Sequence, residues 1–172
     1  MEIETRARLG IGHPKHPDNV RILARPRGDN RAEWQEVARG TNKIPDVFLH
    51  FLGEFLENNS DAEYNTGLTY YAIGTGTTPP AASDTQLATE TGRKTFTEIN
   101  YNSATFELTI TTFFAAADCT YDIQEVGIFG GASATATANT GKLADRALVS
   151  FDNSLGSYDL TFESIIELSE VV

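Results

Sequence analysis

Between residues 106 and 114 the chain reads FELTITTFF, and Phe106, Leu108, Ile110, Thr112 and Phe114 alternate with Glu107, Thr109, Thr111 and Phe113. A period of two puts one set of side chains on each face of an extended strand. The same alternation returns in GSYDLTFESIIELS, where Tyr158, Leu160 and Phe162, then Ile166 and Leu168, oppose Asp159, Thr161, Glu163 and Glu167. LTYYAIG, KTFTEINY, YDIQEVGIFG and KLADRALVSF read as further strands, and DNSLGS has the composition of a hairpin turn. In YDIQEVGIFG, Tyr121 and Ile123 share one parity and Val126 and Ile128 the other, which predicts a β-bulge near Glu125 to Gly127.

The period changes once. In TNKIPDVFLHFLGEFLENN, the residues Ile44, Val47, Phe48, Phe51, Leu52, Phe55 and Leu56 recur at helical spacing, predicting an amphipathic helix over about residues 43–57. Thr41 or Asn42 is placed to cap its start, and Pro45 falls in the first turn, where its missing N–H is harmless. All seven apolar side chains are expected to be buried on a sheet. Five or six mostly antiparallel strands with one packed helix define a mainly β, antiparallel β-sandwich-like domain. Ahead of it, Pro14, Pro17 and Pro26 interrupt any periodic element. Residues 1–41 are therefore expected to form an extended N-terminal arm, with VRILA and EWQEVA as a loose hairpin, and residues 42–172 the body. The segment GGASATATANTG, residues 130–141, offers no large side chain as an anchor and reads as an exposed, mobile loop.

Composition agrees with a β protein, since Thr occurs 21 times beside 10 Phe and 6 Tyr in a chain of 172 residues. Charge divides the chain. Residues 1–43 hold nine Lys/Arg against six Asp/Glu, a net of +3, whereas residues 44–172 hold four against eighteen, a net of −14. An acidic body repels phosphates, so nucleic acid is not an expected partner. Nor is a membrane, because no stretch approaches the roughly 20 apolar residues that span a bilayer, and a soluble protein without an export signal is the expectation.

Chemistry is sparsely represented. IGTGTTPP starts like a phosphate-binding loop, but Pro79 and Pro80 stand where the phosphate-binding helix would begin, and no lysine follows before Lys94. Gly74 and Gly76 read instead as strand-end glycines that adopt dihedral angles unsuited to other residues. In SDTQLATETGR, Ser83 or Asp84 is placed to cap a short helix or turn held by Glu90 and Arg93. His13 and His16 in HPKHP are the only metal-ligand candidates, and no third ligand lies near them in sequence. Cys119 sits among acids in AADCTYD, an unfavourable setting for a thiolate nucleophile. With three histidines in the chain, a hydrolytic triad lacks material, so neither an enzyme nor a cofactor is expected. A carbohydrate-binding module with Tyr70, Tyr71 and Tyr101 as stacking platforms remains a separate reading.

Four islands occur in a distinctive order: NKIPDVFLHFLGEFL (42–56), YYAIGTGTTPPAASDTQLATETGR (70–93), IQEVGIFGG (123–131) and GKLADRALVSF (141–151). Together they resemble the N-terminal domain of tailed-phage tail-collar fibre proteins and related small phage virion structural proteins, over roughly residues 42–168. The resemblance places Gly74 and Gly76 at the strand end, Leu87, Glu90 and Arg93 in the ordered loop, and Glu125, Gly127 and Phe129 in an E-x-G-x-F strand. Gln124 stands where the family has arginine, and Val126 and Ile128 where it has Ile and Leu.

The resemblance implies a structural protein of a tailed-phage virion, made in the host cytoplasm and binding other virion structural proteins of the tail, baseplate or capsid. It also implies a homo-oligomer, with a trimer as the family's habit. Fibre proteins continue into a shaft and receptor-binding tip, whereas this sequence ends at Val172, so the mounting domain alone is expected. Tail or baseplate attachment and capsid decoration are the two positions left open. The expected contact surface is the basic arm, through Arg6, Arg8, Arg21, Arg25, Arg27 and Arg31 with Trp34 as apolar anchor.

Overall fold

The computed structural model describes the backbone of residues 9–12, 19–57 and 61–170, and the side chains of all of these except 9–12, 64–65 and 168–170. Two antiparallel sheets pack face to face. The first runs in the order β3 (Gln35–Gly40), β2 (Val20–Pro26), β11 (Tyr158–Glu170), β8 (Glu107–Phe114) and β7 (Glu98–Asn102), with β1 (Leu9–Gly12) paired to the far end of β11. The second runs β4 (Asn42–Lys43), β10 (Lys142–Asp152), β9 (Asp122–Gly130), β5 (Leu68–Gly74) and β6 (Glu90–Thr95). The mainly β sandwich expected from the alternation is the observed architecture.

The alternating positions supply the core. Leu160, Phe162 and Ile166 of β11, Ile110 and Phe114 of β8, and Val20 and Ile22 of β2 point inward and are essentially dry. Facing them are Tyr71 and Ile73 of β5 and Val126 and Ile128 of β9. Each such aliphatic or aromatic side chain contributes about 1.5–3 kcal/mol on burial. Tyr71 tilts against Phe162 at a centroid distance of 5.5 Å, and Phe114 meets Phe162 edge-on at 5.2 Å.

Residues 19–41 do not form an extended arm. The hairpin exists, but β2 pairs with β11 from Pro26↔Tyr158 to Val20↔Ser164, and Val20 and Ile22 are fully buried. The prolines mislead because Pro26 occupies a strand end and Pro14 and Pro17 fall before Asn19. Arg6, Arg8, His13 and His16 lie outside the described residues, as does most of residues 1–18.

The helix α1 (Asp46–Leu56) closes one end of the sandwich but is only partly covered. Phe48 and Phe51 are buried, while Phe55 and Leu56 are exposed, as is Leu49 outside the predicted stripe, so the expected burial of all seven apolar residues is not realised. Neither Thr41 nor Asn42 caps it: Pro45 is the N-cap without a side-chain bond, and the Asp46 N–H donates instead to the Ala82 carbonyl at 2.8 Å. A one-turn helix, α2 (Ala62–Asn65), follows, capped by Asp61 accepting from the Glu63 N–H.

The parity slip in β9 is real, since Ile123 and Val126 both join the core, but the bulge in the ladder is on the neighbouring strand and not near Glu125 to Gly127. Glu125, Val126 and Gly127 pair regularly with Leu148, Ala147 and Arg146, and the extra residue sits in β10 between Leu148 and Phe151, opposite Gln124. A second irregularity in β10, between Leu143 and Asp145, lets Ala144 and Ala147, three residues apart, both join the main core, while Leu143 belongs to a separate apolar cluster.

The run from Glu90 to Asn102 changes sheets in mid-course. Phe96 N–H donates to the Thr69 carbonyl of β5, and Thr97 N–H to the Thr111 carbonyl of β8. Strand β6 thus borders one sheet and β7 the other.

Candidate functional site

The middle of the second sheet, from Ala72 to Gly74, Glu125 to Gly130 and Leu143 to Ala147, is buried on both faces, because residues 75–89 fold back over its outer side. Leu87 there packs with Ala72, Phe129 and Leu143 as a second, small apolar cluster. Under this covering segment Glu125 is fully buried, and its carboxylate is met by three backbone donors. Oε1 accepts from the N–H of Gly76 at 3.1 Å and of Thr89 at 2.7 Å; Oε2 accepts from that of Ala88 at 3.1 Å. Arg146 completes the shell, with Nε 2.9 Å and Nη2 2.8 Å from Oε2. Its other contacts run into the loop: Nη1 donates to Asp84 Oδ2 at 2.6 Å and Nη2 to the Thr78 carbonyl at 2.8 Å. Asp84 Oδ2 also accepts from the Ala81 N–H, so it closes a turn within the loop.

Glu125 and Arg146 sit across from each other because β9 and β10 pair Gly127 with Arg146, which places the two side chains on the same outer face. The glycines serve this arrangement through space, not through unusual dihedral angles. The positive-φ glycines are Gly28, Gly131, Gly141 and Gly156, and the expected special φ at Gly74 and Gly76 is not found. A Cβ on Gly74 would stand 2.5 Å from the Thr89 carbonyl oxygen and 2.8 Å from Glu125 Oε1. One on Gly76 would stand 2.6 Å from the Ala88 Cβ and closer still to Glu125 Oε1, and one on Gly127 2.8 Å from Leu87 Cδ2. Leu87, Glu125, Gly127 and Phe129 are thereby brought into one unit.

Glu90 and Arg93 pair as expected, at 2.5 Å between Nε and Oε1, but on strand β6 and not on a helical turn. Both side chains are out of water. Arg93 lies 4.4 Å over the Phe129 ring, and its Nη1 donates to the carbonyls of Thr135 and Thr140 at 3.1 and 2.9 Å. Glu90 Oε2 accepts from the Asn139 N–H at 2.8 Å. Glu63 holds the other end, accepting from the N–H and hydroxyl of Ser133, both at 2.6 Å. Residues 130–141 are therefore pinned by side chains from α2 and β6, which corrects the mobile-loop expectation: the anchors come from elsewhere in the chain.

A third polar group lies between the sheets. Asn19 and Asn42 bond each other, and Asn19 Nδ2 reaches the Ile165 carbonyl at 3.2 Å. The Asp145 carboxyl is bonded by the Asn42 side chain, yet its Oδ1 has no partner among the described residues. Burial pushes its pKa up to about 7, with Asn42 and the Arg146 N–H pulling the other way. Nearby, Tyr71 Oη and Ser164 Oγ are 2.8 Å apart, and burial raises the Tyr71 pKa while the Ser164 bond lowers it. Arg146, Asp145, Asn19 and Glu63 were not singled out from sequence. The adjacent acid and base within the apolar run KLADRALV was the available signal for the first two.

The basic residues expected to reach a partner are divided by the fold. Arg21 bonds Glu163 at 2.8 Å across the first sheet, and Arg25 lies 3.7 Å from Asp159 and 4.6 Å over the Trp34 ring. Trp34 packs edge-on against Phe113 at 6.2 Å, while Arg27 and Arg31 are exposed at the β2–β3 turn. In the acidic part, all four cations are matched to carboxylates: Arg93 to Glu90, Lys94 to Asp118, Lys142 to Glu63, and Arg146 to Glu125 and Asp84.

Cys119 is fully buried, and burial, then Asp118, pushes its thiol up to about 12, the opposite of an activated nucleophile. His50 is exposed on α1, 3.6 Å from Glu54. Tyr71 is fully buried, so the three tyrosines do not form a stacking surface. Among the described residues no group of three metal-ligating side chains converges, and no helix is long and apolar enough to cross a membrane. An apolar groove of about 220 Å³ lies between α1 and the sheet ends, lined by Phe48, Phe51, Leu52, Phe55, Leu108 and Ile166 among others. Comparison with family models, with curated proteins and with solved structures returned no match to this chain.

Proposed function

We propose that this chain is a non-enzymatic structural protein of a tailed-phage virion, acting by protein–protein assembly as a tail-fibre or baseplate attachment or adaptor protein. The observation that carries the reading is the occupant of the glycine loop. Backbone N–H groups of Gly76, Ala88 and Thr89 converge on one anion, as they do in phosphate-binding loops, but that anion is the chain's own Glu125, neutralised by Arg146. The loop is an internal fastening. It joins the Gly-x-Gly island to the E-x-G-x-F island and the G-x-L-x-A strand, three of the four segments whose shared order resembles the tail-collar domain. Buried ion pairs spent on loop anchorage, with a thiol held in its protonated form, support a rigid building block over a catalyst.

The test is location in the particle. Antibody raised against the protein should label purified virions, and negative-stain images should place the label at the tail or baseplate. Label over the capsid surface would replace the adaptor role by decoration; particles without label or peptide from this chain would sink the virion reading.

A further inference from the structure

Strand β7 is the least guarded sheet edge among the described residues. The other edges carry the usual defences against pairing. Strand β3 has a register irregularity opposite Ile22 and Leu23 and ends near Arg39; β6 has one beside Gly74 and carries Arg93 and Lys94; β4 is two residues long and β1 four. Strand β7 reads Glu98-Ile99-Asn100-Tyr101-Asn102, without proline, cation or bulge, and pairs with β8 in unbroken register. All five residues are exposed, and Ile99 and Tyr101, on the face toward the core, each keep 49% of their surface in water. That face is bare because β6 has left the border of the opposite sheet by the time the chain becomes β7.

Resting on the assembly reading above, we infer that the β7 edge is a self-association surface, on which β7 of a second copy pairs antiparallel about a two-fold axis at Asn100. The five residues are complementary to themselves in that register. Ile99 meets Tyr101 of the second copy, twice by symmetry, and pairing an aromatic with a β-branched residue is a favourable cross-strand combination. On the outer face Glu98 meets the neutral Asn102 of the second copy, again twice, and Asn100 meets its own equivalent. Charge selects this occupant. In a chain with 24 acidic and 13 basic residues most self-contacts set carboxylate against carboxylate, yet here none is directly opposed. The row runs Glu107, Asn102, then Glu98 of the second copy, so an asparagine always separates the two acids by two strand spacings of about 4.8 Å. The result is one continuous sheet crossing the dimer, with both bare apolar lips covered. It is a two-fold contact, not the trimer that the resemblance implies.

The full chain is measured by size-exclusion chromatography with light scattering, and by oxidative cross-linking of single-cysteine additions. The expected mass is twice the 18.8 kDa of one chain. Ile99→Lys, at a position too exposed to threaten the core, is expected to give the single-chain mass with an unchanged circular dichroism spectrum. Asn100→Cys is expected to form an intermolecular disulfide, since opposed residues in antiparallel strands lie about 4.5–5.5 Å apart at Cα, within disulfide reach. Asn102→Cys alone is expected not to cross-link, being four positions out of register with itself, whereas a mixture with Glu98→Cys is expected to do so. Native Cys119 is fully buried and does not compete. A monomeric or trimeric wild-type mass, a dimer unaffected by Ile99→Lys, or Asn102→Cys linking as readily as Asn100→Cys overturns the proposal. A monomer that still labels virions removes this contact and leaves the assembly reading in place.

Discussion

Arg146 donates Nε–H to Glu125 Oε2 at 2.9 Å with both side chains sealed from solvent, and the three backbone N–H groups that share the carboxylate all belong to the loop above it. A buried pair of this kind is weak evidence for net stability, but breaking it strands a charge.

Glu125→Gln or Arg146→Met should each lower unfolding free energy by about 3–5 kcal/mol, because the remaining partner stays buried and uncompensated. The double variant Glu125→Gln/Arg146→Met should lose clearly less than the sum. Urea titrations of the four proteins give the coupling, and strict additivity would refute the clasp.

Gly76→Ala should cost roughly 2–4 kcal/mol, since its Cβ would stand 2.6 Å from the Ala88 Cβ and closer to the Glu125 carboxylate. Gly92 is the internal control. Its added Cβ would first meet Ile73 Cγ1 at 3.6 Å, an ordinary contact, so Gly92→Ala should be neutral or stabilising by up to about 1 kcal/mol. Thermal unfolding of the two variants side by side decides between a steric and a merely flexible role for Gly76.

Asp145 should make the protein less stable as pH rises. Its pKa is raised from 3.8 to about 7, so the folded state holds the neutral acid. The contribution is then complete below the unfolded value, declines between about pH 4 and pH 7, and is flat above. Asp145→Asn should therefore show the larger advantage over the parent at pH 8 than at pH 4.5, by an amount on the order of 2–4 kcal/mol. Denaturation midpoints of both proteins across this range would show parallel curves if Asp145 titrates normally.

Arg93→Lys should loosen residues 133–141 without unfolding the sandwich, because lysine cannot keep the fork to Glu90, the stack on Phe129 and the two threonine carbonyls together. Hydrogen exchange is expected to rise in that segment by at least about ten-fold, with the core strands β8 and β11 unchanged. Equal rates in the loop would mean that Glu63 alone secures it.

Much of the molecule is readable from local pattern. The strands with strict alternation, β8 and β11, appear where expected, and so does the helix at 46–56 within the expected 43–57. The pairing of Glu90 with Arg93 was also legible, though its strand setting was not. What failed shares one cause. Prolines at 14, 17 and 26 and a run of small residues at 130–141 are local signals of irregular chain, but residues 20–26 and 130–141 are ordered by partners far off in sequence: Val20 and Ile22 by β11, and Ser133 and Thr140 by Glu63 and Arg93.

The sequence by itself determined that strictly alternating segments such as β8 and β11 are strands, which of their faces is apolar, and that prolines stand where a phosphate-binding helix would have to begin. Period and steric preference act within a few residues, so they are written locally. Only the tertiary structure decided that Glu125, not a ligand, fills the glycine loop, that α1 leaves half its apolar face open, and that β7 hangs past the opposite sheet. Those outcomes depend on which strands become neighbours, and desolvation and close contact act only between groups that folding has brought together.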